Sequence, residues 1–124
     1  MNDEIERSEW AGYFNEFSKR NQMRPTRVEV FGEELGAQEQ ERGLPLSGIS
    51  LDSHGAHSPR VEIMLGGEMA GDARHLSHTI TRVRRVMRKL SADGKDEALV
   101  IENEDGAKTL IRFEALRELG AVSS

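Results

Sequence analysis

Cysteine is absent from the 124 residues, which excludes disulfide staples, thiolate nucleophiles and cysteine-based zinc sites together. Long apolar runs are missing as well. The longest, such as Ile63-Met64-Leu65 and Ala98-Leu99-Val100-Ile101, fall far short of the ~20 residues that a membrane helix requires, so no membrane association is expected. The N-terminus, Met1 to Glu6, is acidic and polar where an export signal would be basic and then apolar, so a cytoplasmic location is expected. Proline occurs only three times, and the aromatic residues are one Trp, one Tyr and four Phe.

Catalytic frames are missing too. Ser47 lacks the Gly-x-Ser-x-Gly surroundings of a nucleophile elbow, and Gly66-Gly67-Glu68-Met69-Ala70-Gly71 lacks the Gly-Lys-Ser/Thr ending of a phosphate loop. The 22 acidic residues against 17 basic ones give a net charge of -5, a field that repels nucleic acid and anionic lipid unless the positive charges are segregated. These absences favour a non-enzymatic binding or protein-interaction module, with an unidentified protein partner or a second copy joined through an exposed sheet edge, and no resident cofactor.

What is present is periodic. Trp10, Tyr13, Phe14 and Phe17 stand at i, i+3, i+4 and i+7 behind Ser8, a residue suited to an N-cap, which predicts an amphipathic helix ending near Asn21. Arg27 to Phe31 and Val61 to Leu65 alternate with a period of two, as half-buried strands do. Leu44 to Leu51 reads as a further strand with a bulge at Gly48, following an irregular Gly32–Gly43 stretch. Asp105-Gly106, between Ala98–Ile101 and Thr109–Phe113, predicts a hairpin. The segment from Thr79 to Leu90 fits a helical stripe better than strict alternation.

The expected architecture is one α+β domain over residues 8–119, between a flexible 1–7 and a flexible 120–124. An N-terminal amphipathic helix packs on a curved, mainly antiparallel sheet of about six strands, approaching a small, partly open barrel. A last helical turn is expected at Glu114–Leu119. The expected core is Trp10, Phe14, Phe17, Val28, Val30, Ile49, Val61, Ile63, Leu99, Ile101, Leu110 and Phe113.

Two constellations carry chemistry. The four histidines form equally spaced pairs, His54/His57 and His75/His78, with Asp52 close by. This invites a divalent metal and a metal-dependent hydrolase, with Asp52, His54, His57 and His78 the favoured ligands. Against it, residues three apart on a strand point to opposite faces, and a four-histidine site is uncommon for structural zinc. The second constellation is basic: Arg82, Arg84, Arg85 and Arg88, in a stretch free of acidic residues from Arg74 to Lys89, could hold a phosphate backbone. No aromatic residues interleave with them, and Glu97, Glu102, Glu104 and Asp105 stand ready as cross-strand partners, so nucleic acid is disfavoured.

The order of short motifs resembles an uncharacterised bacterial family, a domain of unknown function, over nearly the whole chain. The residues concerned are Glu9-Trp10 with Phe14 and Phe17, Gly36-Ala37-Gln38, Leu44-Pro45-Leu46 with Gly48-Ile49, His75 with His78-Thr79-Ile80, and the hairpin from Leu99 to Phe113. The resemblance implies that Arg82 to Lys89 is extended, a strand rather than a helix. It brings no activity, cofactor or catalytic residue.

Overall fold

Trp10, Phe14, Phe17 and Asn21 recur at the spacing of one helical face, and they are the buried residues of helix α1 (Trp10–Asn21). A computed structural model describes residues 2–32, 36–66 and 75–113, with the backbone alone for Asn2 and for 36–42. The expected turn at Glu114–Leu119, the tail at 120–124 and the glycine-rich loop at 67–71 lie outside the described residues. The helix ends where expected, but Ser8 is not its N-cap: it lies in a 3-10 turn, Arg7–Glu9, and Glu9 occupies the cap without a side-chain bond.

The remaining elements are strands β1 (Asn2–Ile5), β2 (Pro25–Gly32), β3 (Gly36–Asp52), β4 (Arg60–Gly66), β5 (His75–Ile80), β6 (Val83–Leu90), β7 (Asp96–Asn103) and β8 (Lys108–Phe113). They form one antiparallel sheet in the order β1-β6-β7-β8-β2-β3-β4-β5. This is the α+β class that the sequence suggests, with two corrections: among the described residues the sheet has eight strands rather than about six, and it is not closed into a barrel. The terminal strands β1 and β5 share no ladder among the described residues.

Both additional strands have physical causes. Asn2–Ile5, expected within the flexible 1–7, pairs with β6, where Asp3 and Glu4 meet Arg88 and Arg85 at 3.1 and 2.9 Å. The indole Nε1 of Trp10 donates to the Ile5 carbonyl at 2.9 Å, tying the strand to the helix. The extended segment expected over Arg82 to Lys89 is a strand that starts just beyond a break at Thr81-Arg82, where Arg82 takes a φ of 51°, a left-handed value that no strand continues through. His75–Ile80 on one side of that break is β5, and Val83–Leu90 on the other is β6.

At the break the Arg82 and Val83 amides donate to the carbonyls of His57 and Pro59, at 2.8 and 3.0 Å. The start of β6, next to one end of the strand order, is thereby held beside the β3–β4 loop, near the other end. The sheet is accordingly strongly coiled, and α1 lies in its concavity. Ser18 fixes the helix to β3 through its hydroxyl, which accepts from the Ile49 amide at 2.8 Å.

The concave face presents Val28, Ile49, Val61, Ile63, Leu99, Ile101 and Ile111, all buried, against Trp10, Phe14 and Phe17. Full burial of such side chains contributes about 1.5–3 kcal/mol each. Phe113 packs at the edge of this cluster, its ring 5.6 Å from that of Phe17. Leu110 and Val30 depart from the expected core. Thr109 and Ile111 face inward on β8, so the alternation turns Leu110 to the convex side, and Val30 at the far end of β2 is only partly covered. The expected hairpin is β7–β8, with Gly106 at a φ of 85° in its turn. The bulge expected at Gly48 is present as a register shift between Leu46 and Gly48 against β4.

Candidate functional site

Helix α1 crosses the sheet with one flank uncovered, and between that flank and strands β1, β6 and β7 runs an open groove of about 760 Å³. Gly12, Tyr13, Glu16 and Arg20 line it from the helix, and Glu9 from the 3-10 turn before it. Asp3 and Ile5 of β1, Arg88 and Leu90 of β6, and Asp96 of β7 line it from the sheet. Tyr13 neighbours the buried stripe without belonging to it, so its ring packs edge-on against Phe14 while its hydroxyl turns toward the groove floor.

The Tyr13 hydroxyl oxygen is buried and has no hydrogen-bond partner among the described residues. Burial, reinforced by the Asp96 charge, pushes its pKa up to about 12, so it stays protonated and able to donate. Such a group forfeits about 1–3 kcal/mol until a partner arrives.

Asp96, almost fully buried, closes one end of the groove. Its carboxylate accepts from Arg20 Nε at 2.9 Å, from Arg20 Nη2 at 3.3 Å and from Asn21 Nδ2 at 2.9 Å. Arg24 completes the cluster, donating to the Asp96 carbonyl at 3.1 Å and to Asn21 Oδ1 at 2.8 Å while its guanidinium lies 4.1 Å from the Phe113 ring. Burial works to raise the Asp96 pKa. The bonds from Arg20 and Asn21 and the nearby guanidinium charges outweigh it and hold the carboxyl below its ordinary range. Asp3, paired with Arg88, closes the other side. Glu9 and Glu16 project along the rim, exposed and without an ion-pair partner among the described residues.

The sequence singled out none of Arg20, Glu16 and Asp96, and it placed Tyr13 on the aromatic stripe of the helix without counting it in the expected core. The one available signal was Tyr13 itself, the sole hydroxyl in an otherwise apolar aromatic stripe.

The histidines are dispersed along one end of the sheet. Asp52 Oδ1 accepts from the His54 amide at 3.0 Å in the β3–β4 loop, and its other oxygen meets Arg60. The His54 bond and then Arg60 hold the Asp52 carboxyl below its ordinary range. His54 and His57 are both exposed in that loop. His75 and His78 stand on β5, where alternation sends His75 outward and His78 inward between Leu76 and Ile80. Burial there pushes the His78 pKa below its ordinary value. Among the described residues no three His, Asp or Glu side chains converge to hold a metal ion.

The arginines of β6 meet carboxylates. Arg84 and Arg85 flank Glu102, at 3.1 and 3.7 Å, and Arg85 also reaches Glu4. Arg88 turns to the groove and Asp3, Lys89 pairs with Glu97 at 3.0 Å, and Arg82 is exposed at the β5–β6 break. Ser47 Oγ donates to the Gly66 carbonyl at 2.6 Å, a cross-strand bond from β3 to the end of β4 at the bulge.

The chain is therefore an α+β domain of one helix cradled by a coiled antiparallel sheet, with an acid-rich groove at the helix flank. Within that class it belongs to a family of unknown function, DUF5335, whose model matches residues 1–122. The likeness read from the order of its motifs is borne out by this match. No curated protein and no solved structure matches the chain. No helix among the described residues is long and apolar enough to cross a membrane.

Proposed function

We propose that the chain is a non-enzymatic interaction module whose groove receives a positively charged, extended segment of a partner protein. The observation that carries this reading is the composition of the groove. Among the described residues Asp3, Glu9, Glu16 and Asp96 line it against Arg20 and Arg88, and once Asp96 pairs with Arg20 and Asp3 with Arg88, the carboxylates of Glu9 and Glu16 remain. A lysine or arginine side chain entering it meets Glu9 and Glu16 at the rim. The volume suits a few residues of extended chain rather than a folded surface.

The phosphate reading needs an arginine face without carboxylates, and Arg84, Arg85 and Arg88 each have one. The metal reading has no set of converging ligands among the described residues to favour it.

The test is an NMR titration of the isotope-labelled chain with a lysine- and arginine-rich peptide, alongside an aspartate- and glutamate-rich peptide of equal length. Saturable shifts at Gly12, Tyr13 and Glu16 with the basic peptide alone are expected, weakened by salt and abolished in Glu9→Lys/Glu16→Lys. Shifts confined to another face, or equal shifts with both peptides, would refute the groove as the site.

A further inference from the structure

The strand order leaves two edges, β1 and β5, and they differ in chemistry. An exposed edge offers a row of unpaired amides and carbonyls, which proteins guard with charge, proline or brevity. The β1 edge is guarded: it has four residues, two of them Asp3 and Glu4, and a second copy laid along it would set carboxylates against carboxylates. The β5 edge, His75-Leu76-Ser77-His78-Thr79-Ile80, has six residues with no proline and no permanently charged side chain. Its lateral contacts are made with β4, and among the described residues no strand lies on its other side.

The β5 sequence also complements itself. In an antiparallel pair of two β5 strands centred on His78, the inward row opposes Leu76 to Ile80 of the second copy, His78 to His78, and Ile80 to Leu76. The outward row opposes Ser77 to Thr79 and Thr79 to Ser77. Leu76 is half-buried and Ile80 is buried on the concave side, so the pairing extends an existing apolar row across the junction. The exposed outward positions set Ser77, whose hydroxyl donates to Glu62 of β4 at 2.6 Å and can still accept, against the hydroxyl of Thr79, and no like charges meet. We infer that β5 is a self-association edge through which two copies join their sheets in a symmetric antiparallel pair centred on His78. This is independent of the groove, which lies at the opposite end of the strand order.

A single six-residue strand pair is smaller than a standard stable interface, so the dimer is reversible and dependent on concentration. Sedimentation equilibrium of the full chain, from micromolar to near-millimolar concentration, measures it directly. Ser77→Lys/Thr79→Lys places lysines opposite lysines at exposed positions and is expected to weaken association about tenfold. Ser77→Glu/Thr79→Lys opposes each introduced glutamate to an introduced lysine in this register, and is expected to restore or strengthen the dimer. Both positions are exposed, and melting midpoints close to that of the wild type establish that the monomer is intact. A wild-type chain that stays monomeric throughout overturns the inference. So does a dimer indifferent to the lysine pair, or one that the glutamate–lysine variant dissociates equally.

Discussion

Replacing Asp96 with asparagine changes one charge at nearly constant shape, and the structure fixes what that costs. The carboxylate accepts two bonds from Arg20 and one from Asn21, and the same Asn21 and the Asp96 carbonyl hold Arg24. Bonds to a charged group contribute about 1.5–3 kcal/mol each when buried. The Asp96 side chain is 7% exposed, but Arg20 is 47% exposed, so water recovers part of the loss on the arginine side. The net destabilisation of Asp96→Asn is about 2–4 kcal/mol, the range between losing one such bond and losing most of two. In a chain of this length that lowers the melting midpoint by on the order of 10 °C. The sign of the pH dependence follows from the depressed carboxyl pKa. The stabilisation is complete above the ordinary value of 3.8 and is lost as pH falls through the lower folded value. Urea denaturation of both proteins over a pH series is the assay. The gap between them is constant near neutrality and closes in acid. A gap under about 1 kcal/mol at neutral pH, less than one buried charged bond, would refute the role given to Asp96, as would a gap that persists unchanged in strong acid.

Two further outcomes are expected. Phe14→Ala opens the centre of the helix–sheet contact, where the ring is 1% exposed, and costs about 3–5 kcal/mol in chemical denaturation; an unchanged midpoint would remove α1 from the core. His78 is neutral in the fold because burial lowers its pKa, so its contribution is present above the ordinary value of 6.5 and declines as pH falls through the lower folded value. His78→Leu is expected to flatten that stretch of the stability–pH curve, and a curve of unchanged slope would place the titration elsewhere.

The fold was legible where one physical demand governed a segment. The aromatic stripe of α1, the alternation of β4 and the Asp105-Gly106 hairpin each answer to burial or to a required turn, and all three are present. The sequence was silent where a segment depends on a distant partner. Asn2–Ile5 has no strand-like alternation of its own, and it is a strand because it meets β6, where Arg88 lies across from Asp3 and Arg85 reaches Glu4 from a diagonal position. The division of β5 from β6 depends on the left-handed backbone of Arg82, a conformation that no arginine announces by its identity. Residues 79–90 show helical spacing because that break shifts the phase of the alternation, and a second shift lies between Val83 and Arg85. The groove was least legible of all. Its members come from β1, α1, β6 and β7, and its charged residues look in sequence like the many others in the chain.

The bond from Trp10 to Ile5 gives the protein an internal optical probe. The chain has a single tryptophan, its ring 2% exposed, its nitrogen bound to the last residue of β1 and its face 5.7 Å from the Arg7 guanidinium. Detachment of β1 would strip that indole of its hydrogen bond and admit water, shifting its emission to the red before the remaining strands separate. One fluorophore, native to the chain, thus distinguishes peeling of the first strand from loss of the whole sheet, and it does so beside the wall of the groove.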